Sequence, residues 1–86
     1  MLASRFRAVI GDVVPLGPRL LLSVRGASAR PGLPCPAVIA GTDERLTLLD
    51  LTSPPALWLQ GEGALLVEAA PGANWRGWRG RTVEAL

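Results

Sequence analysis

Arg19-Leu20-Leu21-Leu22-Ser23-Val24-Arg25 is the stretch whose reading decides the fold. Leu20, Leu22 and Val24 alternate with Arg19, Ser23 and Arg25. That period of two turns one face of a strand to a core and the other to solvent. Leu21 alone breaks the alternation.

Outward from this strand, proline sets the limits. Pro15, Pro18, Pro31, Pro34, Pro36, Pro54, Pro55 and Pro71 leave few windows long enough for a packed helix, because an interior proline removes a hydrogen bond and clashes with the preceding turn. The surviving windows are strand-sized. The pattern predicts strands over 5–10, 13–16, 19–25, 37–40, 45–51, 56–60 and 64–69, with a last one inside 75–85. Gly41-Thr42-Asp43-Glu44 and Gly61-Glu62-Gly63 read as the turns of two hairpins. A helix over 43–51, capped by Thr42, competes for one strand. Gly26-Ala27-Ser28-Ala29-Arg30-Pro31-Gly32-Leu33-Pro34-Cys35-Pro36 suits neither ladder nor helix and is read as a long loop. The expectation is all-β: a small barrel or sandwich of five to seven short antiparallel strands, one small domain over 1–86, with no helix longer than about two turns.

Composition narrows the object further. In 86 residues, 49% are apolar and 19% charged, with a net charge of +2 and a mean hydropathy of +0.31, which is the opposite of a disordered chain. The uninterrupted apolar runs at 20–22 and 64–67 are far short of the ~20 residues of a membrane helix. All nine basic residues are Arg, and Lys, His and Tyr are absent. This residue set follows GC-rich codons, so a pI near 10.0 is weak evidence for a nucleic-acid binder, given seven carboxylates against nine Arg. One cysteine, Cys35, and no His exclude an intramolecular disulfide and the usual zinc sites. The first residues, Met1-Leu2-Ala3-Ser4-Arg5-Phe6-Arg7, faintly resemble an organelle presequence, but Val9, Ile10, Val13 and Val14 read as strand, and Arg5, Arg7 and Asp12 interrupt any secretory core.

The inventory also bears on chemistry. Without His or Lys there is no Ser–His or Cys–His pair and no Schiff-base lysine, and Asp43 and Glu44, adjacent in a turn, read as solvated hairpin residues. Gly61-Glu62-Gly63 lacks the third glycine and the βα setting of a dinucleotide loop. No enzymatic activity and no cofactor are expected.

The unusual segment is Asn74-Trp75-Arg76-Gly77-Trp78-Arg79-Gly80-Arg81, in which Trp-Arg-Gly occurs twice. On a strand, Trp75 and Trp78 face opposite sides, whereas three residues per turn would stack them on one face and Arg76 and Arg79 on another. Two readings stand. Either Trp75, Trp78, Arg76, Arg79 and Arg81 form a surface for nucleic acid or an anionic ligand, or the rings lid the barrel or an inter-subunit contact and the arginines are solvated.

Asp50-Leu51-Thr52-Ser53, followed by Ala56-Leu57-Trp58-Leu59, resembles the Asp-x-Ser-x-x-Gly segment of PilZ domains. The resemblance covers about ten residues and implies a small β-barrel that binds cyclic di-GMP. Pro55 stands where that family has glycine, and its Arg-x-x-x-Arg signature is missing, Arg5 and Arg7 being two apart. It implies a barrel without the ligand site, and leaves a nucleotide- or nucleic-acid-binding module as the alternative function.

The main expectation is a non-enzymatic structural subunit of a multi-copy assembly, in the virion or the bacterial cytoplasm. A phage decoration, head–tail or tail component is the example chosen, with no motif behind that choice. Apolar surface left by leucines that break alternation calls for other protein subunits, in a homo- or hetero-oligomer. A small domain without staples also needs help to order a ten-residue loop, which costs roughly 10 kcal/mol or more of backbone entropy. Leu33, Cys35, the Trp pair, Leu2 and Phe6 are accordingly expected at contacts with neighbouring chains, holding the loop and the termini.

Overall fold

The alternation of Arg19–Arg25 is realised as a strand whose Leu20, Leu22 and Val24 are buried and whose Arg19, Ser23 and Arg25 are exposed. In the computed structural model, which describes residues 5–86, six strands close into an antiparallel β-barrel. They are β1 (Arg7–Leu16), β2 (Arg19–Arg25), β3 (Cys35–Ile39), β4 (Arg45–Leu51), β5 (Gly63–Ala69) and β6 (Thr82–Ala85). Around the barrel the order is β1-β2-β5-β4-β3-β6, and the β6–β1 ladder closes it. No helix is long and apolar enough to cross a membrane among the described residues.

Closure of so narrow a barrel requires strong local curvature, and two bulges provide it. One lies between Ile10 and Asp12, at Gly11, and the other between Leu48 and Asp50, at Leu49. The first explains why the sequence pattern breaks into 5–10 and 13–16: β1 is one strand of 10 residues whose phase slips at Gly11. Its hairpin with β2 turns at Gly17-Pro18, where Leu16 pairs with Arg19. Gly17 has a φ of +61°, which a two-residue hairpin turn needs at this position.

Ile10, Leu22, Ile39, Leu48, Leu65, Val67 and Val83 fill the interior, each with 0% exposure. The ends are closed by tryptophan. Where β1 and β3 begin and β4 ends, the helix α1 (Pro55–Leu59) lays Trp58 against Phe6, edge to face with ring centroids 6.3 Å apart. At the opposite end a 3₁₀ turn, Trp75–Gly77, leads into Trp78, which is 1% exposed. The strap after it is sewn to the β1 bulge: the Ile10 N–H donates to the Arg81 carbonyl (2.8 Å) and the Gly80 N–H to the Ile10 carbonyl (2.7 Å).

Two expectations are corrected, and one choice between alternatives is decided. The window 56–60 is not strand: Pro55–Leu59 form helix and Gln60 caps it, because proline at the first helical position sacrifices no bond. The competing helix over 43–51 does not form, and β4 occupies that window. The stretch 26–36 is not loop throughout, since β3 starts at Cys35 and takes in Pro36, whose carbonyl accepts from the Leu86 N–H (2.9 Å).

The rest of that loop has anchors within its own chain. The Ser28 hydroxyl accepts from the Arg7 N–H (3.1 Å) and donates to the Arg5 carbonyl (2.9 Å), while the Ser28 N–H donates to the Arg7 carbonyl (2.9 Å). The Ala27 N–H donates to the Gly61 carbonyl (2.8 Å), Pro31 is buried, and Leu33 packs against the core. These contacts order part of the loop within the monomer.

Candidate functional site

The Trp–Arg segment takes its period of three from the 3₁₀ turn, in which residues three apart eclipse. The Trp78 N–H donates to the Trp75 carbonyl (3.1 Å), and both rings lie on the barrel side: Trp78 is buried and Trp75 is half-buried against the core. The arginines point away. Arg76 lies over the Trp75 ring with its guanidinium carbon 4.4 Å from the centroid, a cation–π contact. Arg79 Nη2 donates to Asp12 Oδ1 at 2.6 Å. That hydrogen bond, with a second from the Val13 N–H and the Arg79 charge, holds the Asp12 carboxyl below its ordinary value of 3.8. Arg81 is exposed.

Of the residues expected at a partner surface, Trp78 and Phe6 are therefore corrected: both are core, because the two barrel ends need large flat side chains to seal them. Leu33 and Cys35 are half-buried, packed against the same core, and the Cys35 thiol donates to the Pro36 carbonyl at 3.4 Å. Leu2 lies outside the described residues. Trp75, Arg76 and Arg79 do come together on one end of the barrel, where with Val13 they border a shallow cleft, and Arg81 does not line it. Within it Arg79 is already neutralised by Asp12, which weakens its hold on phosphate.

The segment behind the PilZ likeness lies at the end of β4 and the start of α1. Asp50 Oδ1 accepts from the Leu51 N–H (2.8 Å), and Ser53 Oγ accepts from the Ala64 N–H (3.0 Å). The Asp50 bond is local to β4, and the Ser53 bond fastens the β4–β5 connection to β5. These bonds to backbone account for a polar motif here without a ligand.

A different surface emerges on the outer wall of β1, β2, β5 and β4. Register sets Val14 beside Leu21, Leu21 beside Leu66, and Leu66 beside Asp50 at the Leu49 bulge. All these side chains are on the outside, since their neighbours Leu20, Leu22, Leu65 and Val67 fill the interior. Leu16, 49% exposed, continues the strip toward the hairpin tip. In the other direction Ser23 and Ala64 floor an open groove of 370 Å³ that Leu57 of α1 overhangs, with Arg25 and Glu62 also lining it. Beyond it Leu59 is 90% exposed. The sequence carried one trace of this face, in Leu21, the residue that breaks the β2 alternation. Leu66 gave no such sign, because in an unbroken apolar run inward and outward positions look alike.

Comparison with protein-family models, with curated proteins and with solved structures finds no match for this chain.

Proposed function

We propose that this protein is a non-enzymatic subunit of a multi-copy protein assembly, whose copies meet through the outer wall of the barrel; a phage decoration, head–tail or tail role is one such case. The observation that carries the reading is the contiguous apolar strip Val14–Leu21–Leu66 with Leu16 at its end. Single exposed leucines are ordinary on a protein surface, but a row that register makes continuous across three strands marks a contact site. Of the polar side chains near it, Asp50 and Ser53 are bonded to backbone.

The alternative, a nucleic-acid or nucleotide module, draws on Arg76, Arg79 and Arg81 beside Trp75. It is the weaker reading because Arg79 is paired with Asp12 and Arg76 is stacked. Light scattering over a wide concentration range, with and without an oligonucleotide, separates the two. The subunit reading expects a defined oligomer and little oligonucleotide binding. A monomer at every concentration refutes it, and binding of oligonucleotide that weakens steeply with salt would establish the alternative.

A further inference from the structure

We infer that the partner on this face is a second copy of the chain, related by a two-fold axis that runs parallel to the strands between β2 and β5. This rests on the subunit reading above and adds the two central strands and the symmetry. The argument starts from what the two strands carry outward. On β2 these residues are Arg19, Leu21, Ser23 and Arg25, and the matching row leading into and along β5 is Glu62, Ala64, Leu66 and Glu68. The ladder pairs Leu21 with Leu66 and Ser23 with Ala64, so one step beyond each end Arg19 stands level with Glu68 and Arg25 with Glu62. One strand is positive at both ends, its neighbour is negative at both ends, and the middle is apolar or small.

Two ways of laying this face on itself keep the strands of the two copies aligned, each set by a two-fold axis in the contact plane. An axis across the strands puts β2 over β2, so Arg19 meets Arg25 and Glu62 meets Glu68, and like charges collide. An axis along the strands exchanges β2 and β5 at constant height. Arg19 of each copy then meets Glu68 of the other, Arg25 meets Glu62, and Leu21 meets Leu66. Only the second operator matches charge and apolar surface together. The outer wall of a barrel is convex, so close contact is confined to about two strands, and β2 and β5 are the two that carry the pattern. The four charges are also available. The ion pairs among the described residues are Arg7–Glu84 and Arg79–Asp12, and neither uses them.

Charge reversal with heterodimer rescue tests the operator, read as mass by sedimentation equilibrium at low salt. Wild type is expected to dimerise, and Arg19→Glu and Glu68→Arg each to weaken the dimer roughly tenfold or more, since each creates two like-charge contacts per dimer. Mixed one to one, the two variants should associate as well as wild type. In the mixed dimer the carboxylate introduced at position 19 of one copy meets the guanidinium introduced at position 68 of the other, and the second contact is the native pair of Arg19 with Glu68. Repulsion inside each monomer cannot produce that rescue. Leu66→Glu should abolish association, and the exposed charge variants keep the test valid even if this one misfolds. If wild type associates but both reversals associate equally well and the mixture shows no preference, the operator is wrong while the subunit reading survives. If wild type stays monomeric throughout, both fall.

Discussion

Replacing Gly63 by alanine tests whether the Trp58 plug is as tight as the fold requires. A Cβ at Gly63 would sit 2.3 Å from Cε2 and Cζ2 of Trp58 and 2.8 Å from Cδ2. That is roughly 1 Å or more inside the ~3.5–4.0 Å at which carbons attract. The obstacle is the body of an indole ring, which has nowhere to bend. Its own helix has five residues, and Phe6 backs it from another direction. Two responses are open. If the strand gives way, overpacking costs about 1–3 kcal/mol. If the ring leaves, most of the burial of a tryptophan is lost, about 3–5 kcal/mol. A net loss of about 2–4 kcal/mol follows, which for a domain of this size lowers Tm by roughly 10–25 °C. The sign is informative, because glycine in a strand is normally worse than alanine by about 0.5–1 kcal/mol. Gly32→Ala is the matched control: nothing lies within 4 Å of its Cβ, and a neutral or slightly stabilising effect is expected there. Urea unfolding followed by tryptophan fluorescence reads both quantities, stability from the midpoint and ring displacement from a red shift of the folded baseline. A Gly63→Ala protein within ~0.5 kcal/mol of wild type, with its emission unmoved, would refute the account of the plug.

Two further substitutions check the Trp–Arg segment. Trp78→Ala should cost about 3–5 kcal/mol, and Trp75→Ala distinctly less, because only Trp78 is fully buried; equal losses in urea titrations would contradict the assignment of Trp78 as the second plug. Arg79→Gln should return the Asp12 carboxyl toward its ordinary value, read by NMR titration of the side chain. The folded-state value is depressed, so the contribution to stability is complete above 3.8 and fades as pH falls from there through the lowered value. In Arg79→Gln that acid-side loss should shrink, and an unchanged Asp12 titration would show that the ion pair is not its main cause.

The legible part of the fold came from periodicity and punctuation. Arg19–Arg25 and Arg45–Leu51 are strands with the bounds that alternation and turn residues mark, and the all-β barrel followed from them. Trp58 was hidden because Pro54-Pro55 has two meanings, a stop after one element and a start for the next, and only the packing of the ring over Gly63 and against Phe6 decides for helix. The Trp-Arg-Gly repeat was visible as a period of three. Which of its faces met the barrel depended on long-range contacts, such as that of Gly80 with Ile10, that local pattern does not encode. Phe6 and Trp78 mislead as contact residues for the same reason: a large apolar side chain in an irregular segment is also what seals a barrel end.

Closure also limits how a partner can dock. A barrel whose last strand pairs with its first has no continuous free edge, so addition of a partner strand, a common way for a sheet to bind another chain, has little to grip. The one stretch where β1 runs on past its β6 ladder, beyond Val9, is blunted in three ways. The strap at Gly80 and Arg81 bonds Ile10, the Asp12 carboxylate accepts from the Val13 N–H (3.0 Å), and Pro15 has no N–H to offer. Among the described residues both ends of the barrel are filled by indoles. The proposed contact is accordingly side chain against side chain on the outer wall. There the apolar row meets no other element among the described residues, and the ends of β2 and β5 carry opposite charges at matching heights. A face of that kind is selective for register and orientation in a way an open edge is not. Sliding a partner along β2 by one outward position replaces Leu21 with Arg19 in one direction and with Ser23 in the other, so either slip sets a polar group against the partner's leucine.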